Sequence, residues 1–178
     1  GLIAGTPHYM SPEQARGDNQ NHGPSTDVYS LAFSPDGRQL AAGFRYEEVQ
    51  IANTDPDQRG LVQHMLAERR NQAVAWLNDG SIVSQHDLVT LKISHTGESG
   101  DSRVIYRDAG FETFTVTPDR MRIVAASYSG RADVEVIEAE DGRTSMTLVG
   151  NGTPCRDVEV SADGRFVAAG FIDGRIAV

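Results

Sequence analysis

Residues 28–44 read VYSLAFSPDGRQLAAGF, in which two apolar stretches flank the turn sequence Ser-Pro-Asp-Gly. In such a turn Pro35 fixes the φ angle of the first corner, Asp36 tolerates the second, and Gly37 accepts the positive φ that closes it. Before the turn, large apolar and small side chains alternate with the period of a β-strand. The stretch therefore predicts a β-hairpin.

The same turn occurs four times along the chain, as Ser34-Pro35-Asp36-Gly37, Leu77-Asn78-Asp79-Gly80, Thr117-Pro118-Asp119-Arg120 and Ser161-Ala162-Asp163-Gly164. Successive copies start 43, 40 and 44 residues apart, which is the spacing of β-propeller blades. Arg120 breaks the glycine rule, so we expect the third turn to close differently.

Each copy contains apolar segments that predict successive strands. The first strand carries a pair of residues that we expect to point inward: Leu31/Phe33, Val74/Trp76, Phe114/Val116 and Val158/Val160. Second strands are predicted at 40–44, 82–84, 123–127 and 166–171, and third strands at 49–52, 89–93, 134–137 and 176–178. Fourth strands are predicted at 61–66, 103–106 and 145–149, and the sequence ends before a fourth strand of the last copy.

These segments predict an all-β fold, a partial β-propeller of three four-stranded blades plus an incomplete fourth. We expect the propeller to occupy residues 27–178, with blades at 27–67, 70–108, 109–150 and 151–178. Propellers close into rings of typically four to eight blades. We therefore expect the native polypeptide to continue past Val178.

The stretches 28–44 and 158–178 resemble the first three strands of WD-repeat blades, and the resemblance extends over residues 27–178. The third strands lack the Trp-Asp ending of that family and instead read Ala52-Asn53, Ile93-Ser94 and Ile137-Glu138. An aspartate of the family type in the second turn is present only at Asp87, Asp133 and Asp173. The resemblance implies a divergent, bacterial type of WD repeat.

Residues 5–17, GTPHYMSPEQARG, and residues 25–31, STDVYSL, resemble the end of the activation segment of bacterial Ser/Thr protein kinases. That resemblance implies that Thr6 bonds the catalytic loop, Tyr9 lies beside the substrate, Glu13 pairs with a buried arginine and Asp27 anchors the catalytic loop. Pro12 suits the first position of a short helix. We expect residues 1–26 to be a loosely ordered leader, irregular or helical, followed by the propeller.

The kinase motifs that carry catalysis are missing from this sequence: the Gly-rich loop, the strand lysine, His-Arg-Asp and Asp-Phe-Gly. The sequence therefore predicts that this chain is not an enzyme. Residues 28–31 fit both families, as if two proteins were spliced there. An internal deletion in a kinase–propeller protein, a gene or assembly artefact and a degenerate kinase remnant each explain that splice.

Composition restricts the partners. The net charge of −9 argues against nucleic acid, which requires a basic surface. The sequence has no uninterrupted apolar stretch of membrane-spanning length. The single cysteine, Cys155, and five scattered histidines predict no disulfide, metal site or cofactor. Cys155 at an apolar repeat position is interpreted as a buried small hydrophobic residue.

The sequence thus favours a non-catalytic protein-interaction or scaffold module, a fragment of a larger WD-repeat protein, that binds a protein or peptide. The alternative is part of a bacterial Ser/Thr kinase with a C-terminal regulatory propeller, in which the intact parent phosphorylates proteins. A non-functional fragment is the third possibility. A cytoplasmic location is expected from the single free cysteine, with an extracytoplasmic propeller of a membrane kinase as its alternative.

Overall fold

The computed structural model describes residues 28–44, 49–55, 57, 61–65, 73–85, 87, 89–96, 101–107, 110–127, 133–148, 150 and 152–178. The kinase-like positions Thr6, Tyr9, Pro12, Glu13 and Asp27 lie outside these residues, as do His8 and the rest of the predicted leader. The part of the chain that the structure describes contains no helix with the length and hydrophobicity to cross a membrane.

The described chain forms four separate antiparallel sheets in sequence order. Blade 1 consists of β1 (Val28–Phe33), β2 (Gln39–Phe44), β3 (Val49–Asn53) and β4 (Leu61–Met65). Blade 2 consists of β5 (Val74–Trp76), β6 (Ile82–Gln85), β7 (Thr90–Ser94) and β8 (Ser102–Arg107). Blade 3 consists of β9 (Phe111–Val116), β10 (Arg122–Ser127), β11 (Val134–Glu138) and β12 (Thr144–Leu148). Blade 4 consists of β13 (Cys155–Val160), β14 (Val167–Phe171) and β15 (Ile176–Ala177).

Every strand in these sheets pairs with the next strand in sequence, so each blade is a meander. The first strands of neighbouring blades lie beside one another, β1 by β5, β5 by β9 and β9 by β13. The first strands therefore form the inner edge around a common axis, as in a propeller. The fold is the predicted partial β-propeller, with three four-stranded blades and a fourth of three described strands.

The blades pack face to face through apolar side chains, because alternate residues of a strand point to opposite faces of its sheet. Three hydrophobic clusters fill the three spaces, one between each pair of consecutive blades. The preceding face of a blade is the side toward the blade before it in sequence. Its following face is the side toward the blade after it. A space between two blades, with the two faces that fill it, is a blade junction.

The paired apolar residues of the first strands all lie on preceding faces. In blades 2, 3 and 4 the neighbouring blade covers them, which confirms the prediction that they point inward. Val74 and Trp76 are buried, as are Phe114 and Val158. In blade 1 the prediction is wrong: Leu31 is 61% exposed and Phe33 is 60% exposed. The physical reason is that no blade among the described residues covers the preceding face of blade 1.

Candidate binding site at the propeller axis

The turns that join first and second strands in blades 1, 3 and 4 share one hydrogen-bonded structure. In blade 1 the Ser34 hydroxyl donates to Asp36 Oδ1 (2.6 Å), which also accepts from the Arg38 N–H (3.0 Å). The Gln39 N–H donates to Ser34 Oγ (2.9 Å), and the Gly37 N–H donates to the Ser34 carbonyl (2.9 Å). The Asp36 carboxylate thus accepts a backbone N–H bond that a carbonyl would accept in an ordinary turn.

The carboxylates of Asp119 and Asp163 accept equivalent bonds. In blade 2 the first turn residue is Leu77, which has no hydroxyl, and Asp79 accepts from the hydroxyl and the N–H of Ser81. Bonds from Ser or Thr hydroxyls, followed by backbone N–H groups, lower the pKa of Asp36, Asp119 and Asp163. Burial opposes the shift at Asp79, but bonds from Ser81 outweigh it and the pKa is lowered there too. These carboxylates therefore hold the turns in place.

Blade 3 closes its turn with the same geometry as the glycine-containing turns, and the expectation that it would close differently is wrong. Arg120 has a φ of 56°, where Gly37, Gly80 and Gly164 have 70°, 80° and 71°. Its N–H donates to the Thr117 carbonyl at 2.7 Å, as the glycines do in their own turns. A side chain in this conformation is strained, so interactions of the Arg120 side chain must offset the strain.

The guanidinium of Arg120 makes such interactions by reaching across the inner edge. Its Nη1 donates to the Phe33 carbonyl of blade 1 (3.3 Å) and to the Trp76 carbonyl of blade 2 (3.4 Å). The Arg120 carbonyl accepts from the Asn78 N–H of blade 2 (3.2 Å). One residue of blade 3 therefore connects the inner ends of three blades.

These inner ends enclose an open pocket of about 350 Å³, which we call the axial pocket. It is lined by Ala32 and Phe33 of blade 1, by Ala75 and Trp76 of blade 2, and by Val116, Thr117, Pro118 and Arg120 of blade 3. The walls are therefore mainly apolar, and the pocket holds one cationic group. Its size is within the range of small-ligand pockets.

Trp76 fixes one wall of this pocket. The indole is 2% exposed and its Nε1 donates to the Ala32 carbonyl of blade 1 (2.9 Å). This geometry agrees with the interpretation of Trp76 as a packing residue, and the hydrogen bond ties the first strands of two blades together.

Arg120 is paired only with backbone carbonyls among the described residues. The ion pairs found there join other arginines to acids, including Arg122 to Asp119 at 3.3 Å. A guanidinium has five donors, and the two bonds observed both use Nη1 at long distances. The pocket can therefore accept a carboxylate or another planar anion at its cationic end, with an apolar group against its walls.

Two of the second-turn aspartates accept backbone hydrogen bonds, and the single cysteine is buried. The carboxylate of Asp87 accepts from the Val89 N–H (2.8 Å), and that of Asp133 accepts from the Gly150 N–H (2.7 Å). Cys155 is buried, as interpreted from the sequence, and burial raises the pKa of its thiol. Within the described ranges, no group of three or more His, Cys, Asp or Glu residues could hold a metal ion.

Sequence inspection identified the turns but missed the axial pocket. Its lining residues are small, apolar or turn-forming, and they come from three copies of the repeat. Only one signal was available in the sequence, because Arg120 stands where the other three turns have glycine.

Comparison with known proteins agrees with this architecture. The family model described as "WD domain, G-beta repeat" matches residues 18–46 and 142–178. The solved structure of Kuenenia stuttgartiensis hydrazine synthase is similar, with 21% sequence identity and a TM-score of 0.68. That likeness covers 80% of this chain and 43% of the hydrazine synthase chain, so this chain spans less than half of its length. No curated protein matches this chain.

At 21% identity the likeness to hydrazine synthase shows the fold alone. The matches to the WD-repeat model support a protein-interaction propeller. The first match contains the β1–β2 hairpin, and the second runs from the end of blade 3 through blade 4. With its four face-to-face sheets, the chain is a WD-repeat-like β-propeller.

Proposed function

We propose that this propeller is a protein-interaction module that holds a peptide carboxylate in the axial pocket, on the guanidinium of Arg120. The observation that carries the proposal is a cation with only carbonyl partners among the described residues, at the end of an apolar pocket. Loops and turns at one end of a rigid propeller are common positions for recognition sites.

The apolar walls define the rest of the ligand. Phe33 is exposed at the edge of the pocket, and Ala32, Ala75 and Val116 are half-buried beside it. An apolar side chain next to the carboxylate would cover these groups and contribute binding free energy through burial. The partner is therefore a protein segment that carries a carboxylate beside an apolar residue, such as a chain terminus.

Trp76 is the only tryptophan in the sequence and lines the pocket, so its fluorescence reports occupancy. Acetyl-Gly-Gly-Phe with a free carboxylate is the first probe, and the same peptide with a C-terminal amide is its matched control. A hydrogen bond to a charged group contributes about 1.5–3 kcal/mol, so we expect the amide to bind roughly 10- to 100-fold more weakly.

Two variants test the assignment to Arg120. Arg120→Gln removes the charge and keeps a long polar side chain, and it should bind both peptides equally and weakly. Arg38→Gln removes a charge from the blade 1 turn, where the Arg38 side chain is 86% exposed and lies outside the pocket lining, and should bind like the native protein. Equal affinity of the native protein for the two peptides, or no response to either, would contradict the proposal.

A second candidate function rests on the kinase-like residues 5–17: the propeller regulates a Ser/Thr kinase that the intact parent contains. The gene sequence upstream of Gly1 tests it, because a kinase parent requires His-Arg-Asp and Asp-Phe-Gly there. The cytoplasmic location is likewise proposed, from the single cysteine, and cell fractionation of the full-length protein tests it.

A further inference from the structure

Arg120 holds a backbone conformation that the other three first turns give to glycine. Its φ is 56°, and the corresponding glycines of blades 1, 2 and 4 have 70°, 80° and 71°. Glycine closes such a turn without strain, whereas a residue with a Cβ is strained there. Strain that is retained at one position of a repeated structure points to a function of the residue. The side chain of Arg120 is therefore the reason for an arginine in this turn.

The guanidinium of Arg120 has one occupied part and one free part. Its Nη1 donates to the carbonyls of Phe33 (3.3 Å) and Trp76 (3.4 Å). Its Nε and Nη2 have no hydrogen-bond or ion-pair partner among the described residues. In a planar guanidinium the Nε–H and one Nη2–H point the same way along one edge, and their spacing matches the two oxygens of a carboxylate. We call this pair of donors the free edge.

The carboxylates of the neighbouring turns are bound to other donors. Asp119 precedes Arg120 in the chain, but it pairs with Arg122 at 3.3 Å. Asp79, in the turn of blade 2, accepts from the hydroxyl and the N–H of Ser81. Within the described chain, the free edge therefore remains available to the carboxylate of a ligand.

We propose that Arg120 is a ligand-operated clamp, in which a peptide carboxylate binds side-on to Nε and Nη2 while Nη1 stays on the two carbonyls. The inference rests on the proposed function and adds to it the mode of binding and its effect on the blades. A bound carboxylate restricts the guanidinium to the orientation that bridges blades 1 and 2. Because hydrogen bonds that share a group polarise one another, the ligand also strengthens the two Nη1 bonds.

The clamp predicts that an occupied pocket opposes separation of the inner ends of the blades. The Asn78 N–H of blade 2 donates to the Arg120 carbonyl of blade 3 (3.2 Å), so its exchange with solvent reports that separation. Separation also dismantles the walls of the axial pocket, which three blades supply, so the ligand must leave first. At a peptide concentration of 100 times the Kd, exchange at Asn78 should slow about 100-fold.

The first test observes the free edge directly, in the 178-residue chain. Proton–nitrogen NMR detects the arginine Nε–H signals, and the signal missing from the Arg120→Gln spectrum identifies that of Arg120. Acetyl-Gly-Gly-Phe with a free carboxylate is added to one sample and its C-terminal amide to another. We expect the carboxylate peptide to move the Nε–H signal downfield and the amide to leave it in place, because a bond to a charged acceptor is the stronger one.

Two variants separate the fork of the guanidinium from its charge and from the turn. Arg120→Lys keeps the charge but has no pair of parallel donors, so it should bind the carboxylate peptide roughly 10- to 100-fold more weakly. Arg120→Gly gives the turn of blade 3 the glycine of the other three turns, and it should fold and bind both peptides equally weakly. Circular dichroism verifies that each variant retains the β-sheet spectrum.

Hydrogen exchange tests the effect on the blades. Exchange at the Asn78 N–H is compared, with and without the carboxylate peptide, with exchange at the Phe171 N–H. The latter bonds to the Arg175 carbonyl within blade 4 and does not cross a blade junction. We expect the peptide to slow exchange at Asn78 in the native protein and to leave exchange at Phe171 unchanged. In Arg120→Gly the peptide should affect neither.

The outcomes distinguish the clamp from the proposed function. If neither peptide changes the Trp76 fluorescence or the Nε–H signal, both proposals are wrong. If the carboxylate peptide binds better than the amide but the Nε–H signal stays in place, or if Arg120→Lys binds as tightly as the native protein, the proposed function stands and the side-on mode is wrong. If exchange at Asn78 slows no more than exchange at Phe171, the ligand does not clamp the blades.

Discussion

Replacement of Gly142 by alanine should destabilise this propeller more than the same replacement at Gly37. Gly142 follows β11 in a turn where its N–H donates to the Glu138 carbonyl (2.9 Å) and its φ is 75°. An added Cβ would lie 2.1 Å from the carbonyl oxygen of Ile105, 2.9 Å from its carbonyl carbon and 3.1 Å from its Cα. All three atoms belong to the backbone of β8, so no side-chain rotation relieves the overlap.

Two contributions determine how much Gly142→Ala lowers the free energy of unfolding. A side chain in the left-handed region costs about 1–2 kcal/mol. Contact at 2.1 Å also requires blade 3 and β8 to separate by about 1 Å, and overpacking of this kind costs about 1–3 kcal/mol. The Arg103 Nη2 bond to the Ala139 carbonyl (2.6 Å), which joins the same two blades, opposes that separation. We expect a loss of about 2–5 kcal/mol in the free energy of unfolding.

Gly37→Ala is the matched control, because Gly37 has a φ of 70° and a Cβ there would have no atom within 4 Å. Its cost is about 1 kcal/mol, since the loss of unfolded-chain entropy partly offsets the strain. Urea unfolding followed by Trp76 fluorescence and by circular dichroism measures both variants. If Gly142→Ala lowers the free energy of unfolding no more than Gly37→Ala does, the close approach of blades 2 and 3 at Gly142 is wrong.

A substitution at Trp76, a change of pH and thiol labelling of Cys155 provide three further tests of the structure. Trp76→Phe should lower the free energy of unfolding by about 1–3 kcal/mol in urea titrations followed by circular dichroism, because it leaves the Ala32 carbonyl without its indole donor. The lowered pKa values of the turn aspartates stabilise the fold above the unfolded pKa of about 3.9, so the urea midpoint should fall as pH drops through the lower folded values. Asp119→Asn should weaken that pH dependence, and a pH profile unchanged by it would assign the acid sensitivity to other groups. Cys155 should react with a thiol reagent only at the rate of unfolding, because it is buried with a raised pKa, and rapid labelling of the native protein would contradict its position.

The repeat could be predicted from the sequence because its signals are local. Turn residues such as Asp36 and Gly37 determine the backbone at each hairpin, and alternation gives the two faces of each strand. The error at Leu31 and Phe33 has a physical cause, since a pattern shows which residues share a face but does not show whether a neighbouring blade covers it. Their exposure was therefore visible only in the structure.

The axial pocket could not be predicted, because it depends on how three repeats meet. Arg120 was noticed for its backbone, whereas its importance comes from a side chain that reaches the carbonyls of Phe33 and Trp76, each in a different blade. The two bonds connect residues 87 and 44 positions apart in sequence. Local pattern contains no information about contacts at that separation.

The confinement of strand pairing to single sheets has a mechanical consequence. Within the described chain every strand-to-strand ladder stops at the edge of its own blade. Apolar side chains and isolated hydrogen bonds, such as that from the Asn78 N–H to the Arg120 carbonyl, join one blade to the next. A stretching force applied between Val28 and Val178 would therefore meet short-range apolar contacts between blades and hydrogen-bond ladders within them. Because apolar contacts are lost over a small displacement, the blades would part first and each sheet would then unravel by itself. Under tension the molecule would lengthen in four discrete steps, one for each blade.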